Sequence, residues 1–425
     1  MEFREPLHST LPLNEPRRIV LLGSTGSIGT QAIEVADHAP ERFRIVALAG
    51  GSNLELLARQ AVHTRAEVVA LAEGDVDQLV RRIHDHAELA GHSTYRPEVL
   101  HGPTAAARIA GYPGADVVLN GITGSIGLAP TLAALKAGHL LALANKESLI
   151  VGGALVKDAA GPGQLVPVDS EHSAIAQALR AGTPDEVARL VVTASGGPFR
   201  GMTRAQLMDA TPAQALAHPT WDMGKVVTTN SATMVNKALE VIEAHLLFDV
   251  PLQKIEAVVH PQSMVHSMVE FTDGSTIAQA SPPDMRLPIA LGMGWPARVP
   301  GAAAGCDFTR ASEWTFEPLD EDAFPAIRLA KAAARTSSTH MAVYNAANEE
   351  AVHAFHAGAI RFPEIVDTVE AVVQAYDAGA IAGVGSGSGT GTGSGIGFGT
   401  GLTVDAVLAA EAWARKTARK RWGQL

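Results

Sequence analysis

Short apolar runs alternate with amphipathic segments through the first 170 residues, and this alternation constrains the fold more than any other feature. The runs are rich in Val, Ile and Leu and lie at 17–22, 43–49, 67–72, 115–120, 139–144 and 163–168. Such short, almost continuously apolar runs are typical of strands buried on both faces. Alternation with helical segments therefore predicts an α/β fold with a doubly wound parallel sheet, whose ligands bind beyond the carboxyl ends of the strands.

Two glycine-rich heptads follow two of these runs. GSTGSIG at 23–29 follows the first run directly and leads into a helical segment, so its amides can surround a pyrophosphate and the helix dipole favours the negative charge. This arrangement predicts a Rossmann-like dinucleotide-binding domain. GITGSIG at 121–127 follows the fourth run. The second heptad is either a wall of the cofactor cleft, where two chain segments approach closely, or a chance repetition of the first heptad.

The end of the second predicted strand bears on which dinucleotide binds. Its sequence is AGGSN at 49–53, with no carboxylate before Glu55. NAD enzymes usually place an acidic residue there for the ribose hydroxyls, so its absence favours NADP. No Lys or Arg stands there either. Ser52 and backbone amides would have to bind the 2′-phosphate.

Composition excludes several classes of protein. Apolar residues make up 47% of the 425 residues and charged residues 18%, which suits large buried cores. The net charge of −11 argues against a nucleic-acid partner. Cys306 is the only cysteine, so an intrachain disulfide and a cysteine metal cluster are excluded. The amino terminus lacks a secretory pattern and no apolar run reaches membrane-spanning length, so we expect a soluble cytoplasmic protein without a membrane partner.

Polar residues concentrate at the ends of the last two predicted strands. ANKES occupies 144–148, and VPVDSEHS occupies 166–173. Asp169 and Glu171 would point to the same side of an extended chain. Neighbouring carboxylates repel each other unless a cation or a shared proton intervenes, and oxygen ligands suit Mg²⁺ or Mn²⁺. The alternative is a surface strand end that carries two acids by chance.

A third carboxylate lies on a predicted helix over 228–248, which would be capped by Asn230 or Ser231. Asn236 lies four positions and Lys237 three positions before Glu240, so all three can share one face of that helix. The face could bind a phosphate and a metal. Alternatively, Lys237 and Glu240 form an exposed ion pair, which is the preferred interpretation for an isolated helix.

The segment 196–224 is too rich in proline for a sheet element and is predicted to be a long loop. Loops of this length in compact enzymes are often lids that close over a ligand. His218 and Trp221 lie in this segment and could cover a small polar ligand. An inert surface loop is the competing interpretation.

Together these blocks resemble the 1-deoxy-D-xylulose 5-phosphate reductoisomerase family over almost the whole chain. The matching motifs are RRIVLLGSTGSIG, LANKESLI, PVDSEHSAI, TASGGPFR, HPTWDMG, NSATMVNKALE, VVHPQSMVHSMVE and NAANE. The resemblance implies an NADPH- and divalent-metal-dependent enzyme of non-mevalonate isoprenoid biosynthesis. It would rearrange 1-deoxy-D-xylulose 5-phosphate to a branched aldehyde and reduce this to 2-C-methyl-D-erythritol 4-phosphate. The implied metal is Mn²⁺ or Mg²⁺, with Co²⁺ as a further candidate.

The resemblance also implies roles for individual residues. The cofactor would contact Thr25, Gly26, Ser27, Ile28, Gly51, Ser52, Asn53, Asn145, Glu147 and Gly224. The metal would bind Asp169, Glu171 and Glu240, which with Lys146 form the catalytic set. The substrate would contact Lys146, Ser170, Glu171, Ser195, His218, Ser231, Asn236, Lys237 and Glu240. Trp221 and Met223 match residues of the lid. Ser52 departs from the basic residue that many members carry.

The predicted organisation has five parts. They are a flexible extension at 1–16, the NADPH-binding domain at 17–165, a catalytic domain at 166–300 with its lid, a connector at 301–325, and a C-terminal helical domain at 326–425. The last contains a Gly/Ser/Thr insert at 383–401 whose composition predicts flexibility. The resemblance implies a homodimer. Two alternatives stay open: a simple NAD(P)-dependent dehydrogenase of the homoserine or aspartate-semialdehyde type, and a noncatalytic dinucleotide-sensing regulator.

Overall fold

The computed structural model describes residues 15–221, 223–380 and 401–423. The predicted insert at 383–401 lies outside the described residues except for Gly401, and so do residues 1–14 of the predicted extension. Within the described ranges, no helix has the length and apolar character needed to cross a membrane.

Twelve strands form two sheets in the described part of the chain. The first sheet contains β1 Arg17–Leu22, β2 Phe43–Gly50, β3 Val68–Leu71, β4 Glu98–His101, β5 Val117–Asn120, β6 Leu140–Leu143 and β7 Leu165–Pro167. The second contains β8 Val187–Ala194, β9 Ile255–Val259, β10 Val265–Phe271, β11 Thr276–Ala280 and β12 Glu317–Pro318.

Helices connect the strands and complete the C-terminal region. The first eight are α1 Ser27–His38, α2 Leu54–Thr64, α3 Val76–Leu89, α4 Ala105–Ala110, α5 Leu128–Lys136, α6 Lys146–Gly152, α7 Ala154–Ala159 and α8 Ser170–Ala178. The others are α9 Arg204–Leu207, α10 Pro212–Ala215, α11 Lys225–Ala232, α12 Val235–Phe248, α13 Arg286–Gly294, α14 Ala326–Thr336, α15 His340–His356, α16 Glu364–Ala375 and α17 Val404–Arg421.

The first sheet is parallel throughout, with the order β4-β3-β2-β1-β5-β6-β7. The doubly wound parallel sheet and its six predicted strands are therefore confirmed. Strand β4 had no sequence prediction, because it is only four residues long and lies half exposed at the sheet edge. Strand order reverses between β1 and β5, and such a switch point opens a ligand crevice at the carboxyl ends of the strands.

The chain divides into two compact units, and both are discontinuous. The first comprises the residues up to Ser148 together with Asp158–Ala176 and Asp284–Ala304. Its core includes Val168 beside β7 and Ile289 and Met293 from α13, because all three are buried with the side chains of the parallel sheet. The predicted domains were contiguous blocks, whereas burial in this core assigns two later segments to the first unit.

The second unit comprises Leu149–Lys157, Gln177–Pro283 and the residues from Gly305 onward. Its sheet has the order β11-β10-β8-β9-β12 and is antiparallel except for the β8–β9 pair. Strand β12 lies within the predicted connector, so that segment is partly a sheet element. The four C-terminal helical patterns form α14 to α17, with α15 packed against α14, α16 and α17.

Candidate active site

The first glycine heptad joins β1 to the amino terminus of α1, as predicted. Gly23 has a positive φ of 76°, and a Cβ atom on it would lie 2.7 Å from the Gly121 carbonyl oxygen. A Cβ on Gly29 would lie 2.4 Å from the Gly23 oxygen. Gly26 is the N-cap of α1 and has no side chain to occupy the amides of the first turn. The loop therefore offers backbone donors at a helix amino terminus, where an anion binds favourably.

The rest of the predicted pyrophosphate loop lies at the same place. Thr25 and Ile28 are partly exposed, and Ser27 is exposed as the first residue of α1. Ile28 also packs against the hydrophobic core, whereas Thr25 and Ser27 are not part of that cluster. Their accessibility is consistent with a ligand-binding loop.

The second heptad packs against the first. The Gly121 amide donates to the Leu22 carbonyl oxygen at 2.9 Å, and a Cβ on Gly121 would lie 3.2 Å from the Ile28 side chain. A Cβ on Gly127 would lie 2.5 Å from Asn145 Oδ1. The heptad is thus required for a close approach of two chain segments. Its contact with a cofactor remains a prediction.

Asn145 fixes that second loop. Its buried side-chain amide donates to the carbonyl oxygens of Ile122 at 2.5 Å and Gly124 at 2.9 Å. Its Oδ1 accepts from the Ser148 amide at 3.0 Å. Glu147 Oε2 lies 3.1 Å from the same Asn145 nitrogen. The structure therefore shows Asn145 positioning backbone, and its predicted cofactor contact remains a prediction.

The predicted adenosine-binding residues follow β2. Gly51 and Ser52 are exposed, and Asn53 Oδ1 caps α2 by accepting from the Leu56 amide at 3.1 Å. The nearest following carboxylate, Glu55, binds Arg82 at 2.5 Å and Arg59 at 2.8 Å. Its charge is already compensated by these arginines.

Lys146 and Asp169 form a buried ion pair at the ends of two neighbouring strands. Lys146, the first residue of α6 after β6, lies 2.5 Å from Asp169 Oδ2, which follows β7, and both side chains are about nine-tenths buried. Burial by itself would raise the pKa of Asp169, but Lys146 and then His172 hold it well below its usual value. Asp169 is therefore an ionised carboxylate.

His172 is a site residue for which we made no sequence prediction. It is fully buried, and its Nδ1 lies 3.7 Å from Asp169 Oδ1. The signal in the sequence was its position three residues after Asp169 at a helix start, where the two side chains share a face.

The prediction of an extended chain at Asp169 and Glu171 is wrong. Ser170 begins α8, and Asp169 precedes it, accepting the Ser173 amide at 2.8 Å on its backbone oxygen. The Glu171 amide points to Asp169 Oδ1 at 3.4 Å, while Ser170 Oγ donates to Glu171. Acids and serine at a strand end favour a helix start because they satisfy its first amides. The two carboxylates share this helix terminus.

The helix that carries Glu240 begins later than predicted. Asn230 and Ser231 do not cap it but lie inside the preceding helix α11. Met234 has a left-handed φ of 63°, which breaks the helical path before α12 begins at Val235. The local sequence gave no glycine or proline to mark this break.

The predicted shared face on α12 is confirmed, but the alternative of an exposed ion pair is wrong. Lys237 and Asn236 both donate to the Glu240 carboxylate. Lys237 is 4% exposed and Glu240 is 1% exposed, because α12 runs through the interior of the second unit. A buried pair of this kind is costly unless each charge is satisfied. Such burial is typical of a functional site rather than a solvated surface.

Ser195, His218 and Ser231 come together in the second unit. His218 Nε2 lies 3.0 Å from Ser195 Oγ and 3.1 Å from Ser231 Oγ. His218 Nδ1 accepts the backbone amides of Thr220 and Trp221 at 3.1 and 2.9 Å. Nδ1 is thus unprotonated, and Nε2–H donates towards the two hydroxyls. Burial lowers the pKa of His218, so the neutral ring is favoured near pH 7.

The predicted lid is a loop with two one-turn helices, α9 and α10. The Trp221 ring lies 6.3 Å from the His266 ring, and the Met223 carbonyl oxygen accepts from Thr228 Oγ1 at 3.0 Å. Gly224 is the N-cap of α11. The segment lies next to Ser195 and Ser231, which is where a substrate lid is expected. Its closure remains a prediction.

Models of one protein family match three parts of the chain. A model described as 1-deoxy-D-xylulose 5-phosphate reductoisomerase matches 19–153, and one described as the C-terminal domain of the same enzyme matches 165–248. A third, described as the DXP reductoisomerase C-terminal domain, matches 280–417.

Named relatives and solved structures agree. A 1-deoxy-D-xylulose 5-phosphate reductoisomerase of Arthrobacter sp. is 66% identical over 408 residues, covering 96% of this chain and 98% of the relative. One of Mycobacterium marinum is 56% identical, covering 95% of this chain and 92% of the relative.

Two solved structures share the fold over nearly the whole chain. The Zymomonas mobilis enzyme in complex with NADPH is 37% identical with a TM-score of 0.82, covering 97% of this chain and all of that one. A DOX-P reductoisomerase in complex with NADPH, fosmidomycin and magnesium is 34% identical with a TM-score of 0.83, covering 95% and 98%. Neither the simple dehydrogenase nor the regulator is favoured, and the chain belongs to the 1-deoxy-D-xylulose 5-phosphate reductoisomerase family.

Proposed function

We propose that this chain converts 1-deoxy-D-xylulose 5-phosphate to 2-C-methyl-D-erythritol 4-phosphate with NADPH and a divalent metal ion, through the residues described above. Family membership over nearly the whole chain supports the reaction. Relatives solved with NADPH and magnesium support the cofactors. The observation that carries the site assignment is that two buried carboxylates, Asp169 and Glu240, are each neutralised by a lysine.

The metal would be held by Asp169, Glu171 and Glu240. Carboxylate oxygens are the ligands that Mg²⁺ and Mn²⁺ prefer, and Co²⁺ also accepts them. A lysine ammonium group lies beside each of two of these carboxylates, Asp169 and Glu240. A positive charge is therefore electrostatically favoured at both carboxylates. The donor chemistry therefore fits a divalent ion. When bound, such an ion polarises a carbonyl group as a Lewis acid.

The residues around these carboxylates have separate tasks in the proposal. Lys146 supplies positive charge to the oxyanion that develops when the substrate carbon–carbon bond breaks and forms again. Ser195, His218, Ser231, Asn236 and Lys237 bind the phosphate end of the substrate, with Ser170 as a further contact. Binding energy from this remote phosphate favours lid closure and orients the reacting carbons. NADPH, when bound, would supply the hydride for reduction of the rearranged aldehyde.

NADPH would be held by the loop after β1, where Gly26 and Ser27 present the amino terminus of α1 to the pyrophosphate. Gly51, Ser52 and Asn53 would contact the adenosine end. Asn145, Glu147 and Gly224 complete the proposed cofactor set. The glycine contacts described above support this loop, because side chains there would collide with backbone.

The homodimer and the cytoplasmic location implied by family resemblance remain part of this proposal. Strand β11 supports a dimer, because it is an edge of the second sheet and Ile277 on it is 38% exposed. Unpaired edge strands are common sites of association. Sedimentation velocity across a range of protein concentrations tests the assembly.

One assay tests the reaction. Purified protein is mixed with NADPH and 1-deoxy-D-xylulose 5-phosphate, with and without Mn²⁺ or Mg²⁺, and NADPH oxidation and the sugar product are measured. We expect 2-C-methyl-D-erythritol 4-phosphate only with metal. Turnover that survives exhaustive chelation, or a product with an unbranched carbon chain, would contradict the proposal.

A further inference from the structure

Helix α11 presents Ser231 to His218, yet most of its buried side chains are polar. Thr228, Thr229 and Asn230 are all less than 5% exposed. Apolar packing fixes a helix only loosely in rotation, whereas hydrogen bonds are directional and fix its register. What these polar groups contact therefore decides where Ser231 lies.

Two of them contact helix α15. Asn348 Nδ2 donates to Asn230 Oδ1 at 2.8 Å, and Asn348 is fully buried. His356 Nε2 lies 2.8 Å from Thr229 Oγ1. The Thr229 hydroxyl proton is directed at the Lys225 carbonyl oxygen at 2.9 Å, so His356 is the donor and the threonine oxygen accepts.

The two contacts are well placed to hold α11 as a rigid element. Asn348 and His356 are eight residues apart on α15, which corresponds to about 12 Å along a helix axis. On α11 they bind consecutive residues, Asn230 and Thr229, directly before Ser231. Rotation or sliding of α11 would break both bonds, so the position of the Ser231 hydroxyl depends on α15.

We propose that Asn348 and His356 are positioning residues for substrate binding: they hold α11 so that Ser231 meets His218 and the substrate phosphate. This inference rests on the proposed function, because the phosphate-binding role of Ser231 does. It assigns to the C-terminal helical region a direct effect on substrate affinity. Neither residue touches the reacting atoms, so neither is called catalytic.

The primary test is Asn348→Ala, with Asn345→Ala as the matched control. Asn345 is also buried on α15, but its amide donates to Glu349 of the same helix at 3.0 Å. We expect Asn348→Ala to raise the KM for 1-deoxy-D-xylulose 5-phosphate about tenfold, with kcat and the KM for NADPH within about twofold. The inhibition constant of inorganic phosphate should rise by the same factor. Asn345→Ala should leave all these values nearly unchanged.

A double-mutant cycle separates positioning from general destabilisation. In a Ser231→Ala background, Asn348→Ala should add little to the substrate KM, because the hydroxyl that it positions is already absent. His356→Ala provides a second variant at a partly exposed residue, should Asn348→Ala fold poorly, and we expect a KM increase of about threefold.

Three results would overturn the inference: an unchanged substrate KM in both α15 variants, a fall in thermal midpoint without a change in KM, or fully additive effects with Ser231→Ala. Absence of turnover in the unmodified protein would instead contradict the proposed function, so the two failures are distinguishable.

Discussion

Among the residues that the structure describes, each unit contains a buried lysine–carboxylate pair, and the two pairs are built differently. In the second unit, Lys237 and Glu240 are three residues apart on one helix, and helical geometry alone brings them together. In the first unit, Lys146 and Asp169 follow the ends of different strands and meet only because β6 and β7 are neighbours in the sheet. One pair depends on local geometry and the other on the tertiary fold.

The difference suggests that the two pairs have separate roles, one in the chemical step and the other in substrate binding. The pair in the first unit lies at the same edge of the parallel sheet as the loop after β1, which suits the chemical step of the proposed function. The pair in the second unit shares that unit with Ser195, His218 and Ser231, which suits binding of the substrate phosphate. Substitutions in the two pairs should therefore change different kinetic constants.

The largest effect is expected for Asp169→Asn. The amide cannot carry the negative charge that a divalent ion requires, so kcat/KM should fall about 10³-fold, the upper part of the range for losing one electrostatic contact. NADPH affinity should stay nearly intact, because Asp169 is not part of the nucleotide loop. Steady-state kinetics over a Mn²⁺ series and NADPH titration by fluorescence measure both. Exposed Asp158→Asn is the control. Unchanged metal dependence in Asp169→Asn would contradict its role as a ligand.

Parallel substitution of the two lysines addresses the comparison directly. Lys146→Met should lower kcat about 10²-fold with little change in substrate KM, since its charge acts on the developing oxyanion. Lys237→Met should instead raise substrate KM at least tenfold, since a charge-assisted contact to phosphate is lost. Both measurements use saturating NADPH and metal, with thermal midpoints as a check on folding. If both variants changed the same kinetic constant by the same factor, the hypothesis of separate roles for the two pairs would be wrong.

Ser52 tests the cofactor side of the first unit. It is exposed at the end of β2, so substitutions there should not disturb the core. Ser52→Asp should lower the preference for NADPH over NADH about tenfold, because like charge then lies beside the 2′-phosphate. Ser52→Arg should sharpen the preference by a smaller factor that shrinks with salt. The ratio of kcat/KM for the two cofactors is the measurement. An unmoved ratio in Ser52→Asp would show that residues 51–53 do not face the adenosine ribose.

The smallest effect is expected for acidification of the second unit. Burial lowers the pKa of His218 below the value of about 6.5 in an unfolded chain. Between the lowered pKa and pH 6.5, the folded lid therefore binds fewer protons than the unfolded chain. The contribution of neutral His218 to the stability of the folded lid is present above pH 6.5. It is lost as pH falls through the lowered pKa of His218. A protonated Nδ1 can no longer accept the amides of Thr220 and Trp221. We expect substrate KM to rise about threefold from pH 7 to pH 5.5.

The substrate phosphate titrates in the same range, so a control variant is needed. His218→Asn carries no titratable group but retains an oxygen that can accept an amide. The substrate KM of His218→Asn should be higher at pH 7 than that of the unmodified protein. Its change with pH should follow only the titration of the substrate phosphate. An identical pH profile in both proteins would show that His218 does not couple lid conformation to protonation.

The sequence by itself determined the α/β class, six of the seven strands of the parallel sheet, the loop after β1 and the shared face of Asn236, Lys237 and Glu240. These features follow from local rules, since strand and helix periodicities and backbone sterics act over a few residues. Family motifs added the candidate ligands. The same local rules missed the break at Met234, because no glycine or proline marks its left-handed backbone.

Only the tertiary structure decided which distant residues meet. The order of strands in the sheet brings Gly23 against Gly121 and Lys146 against Asp169, and the packing of α15 on α11 brings Asn348 to Asn230. Burial of Lys237 and Glu240 likewise came from the surroundings of α12. The physical reason is that strand order and helix packing minimise the free energy of the whole core, and no short stretch of sequence contains that information.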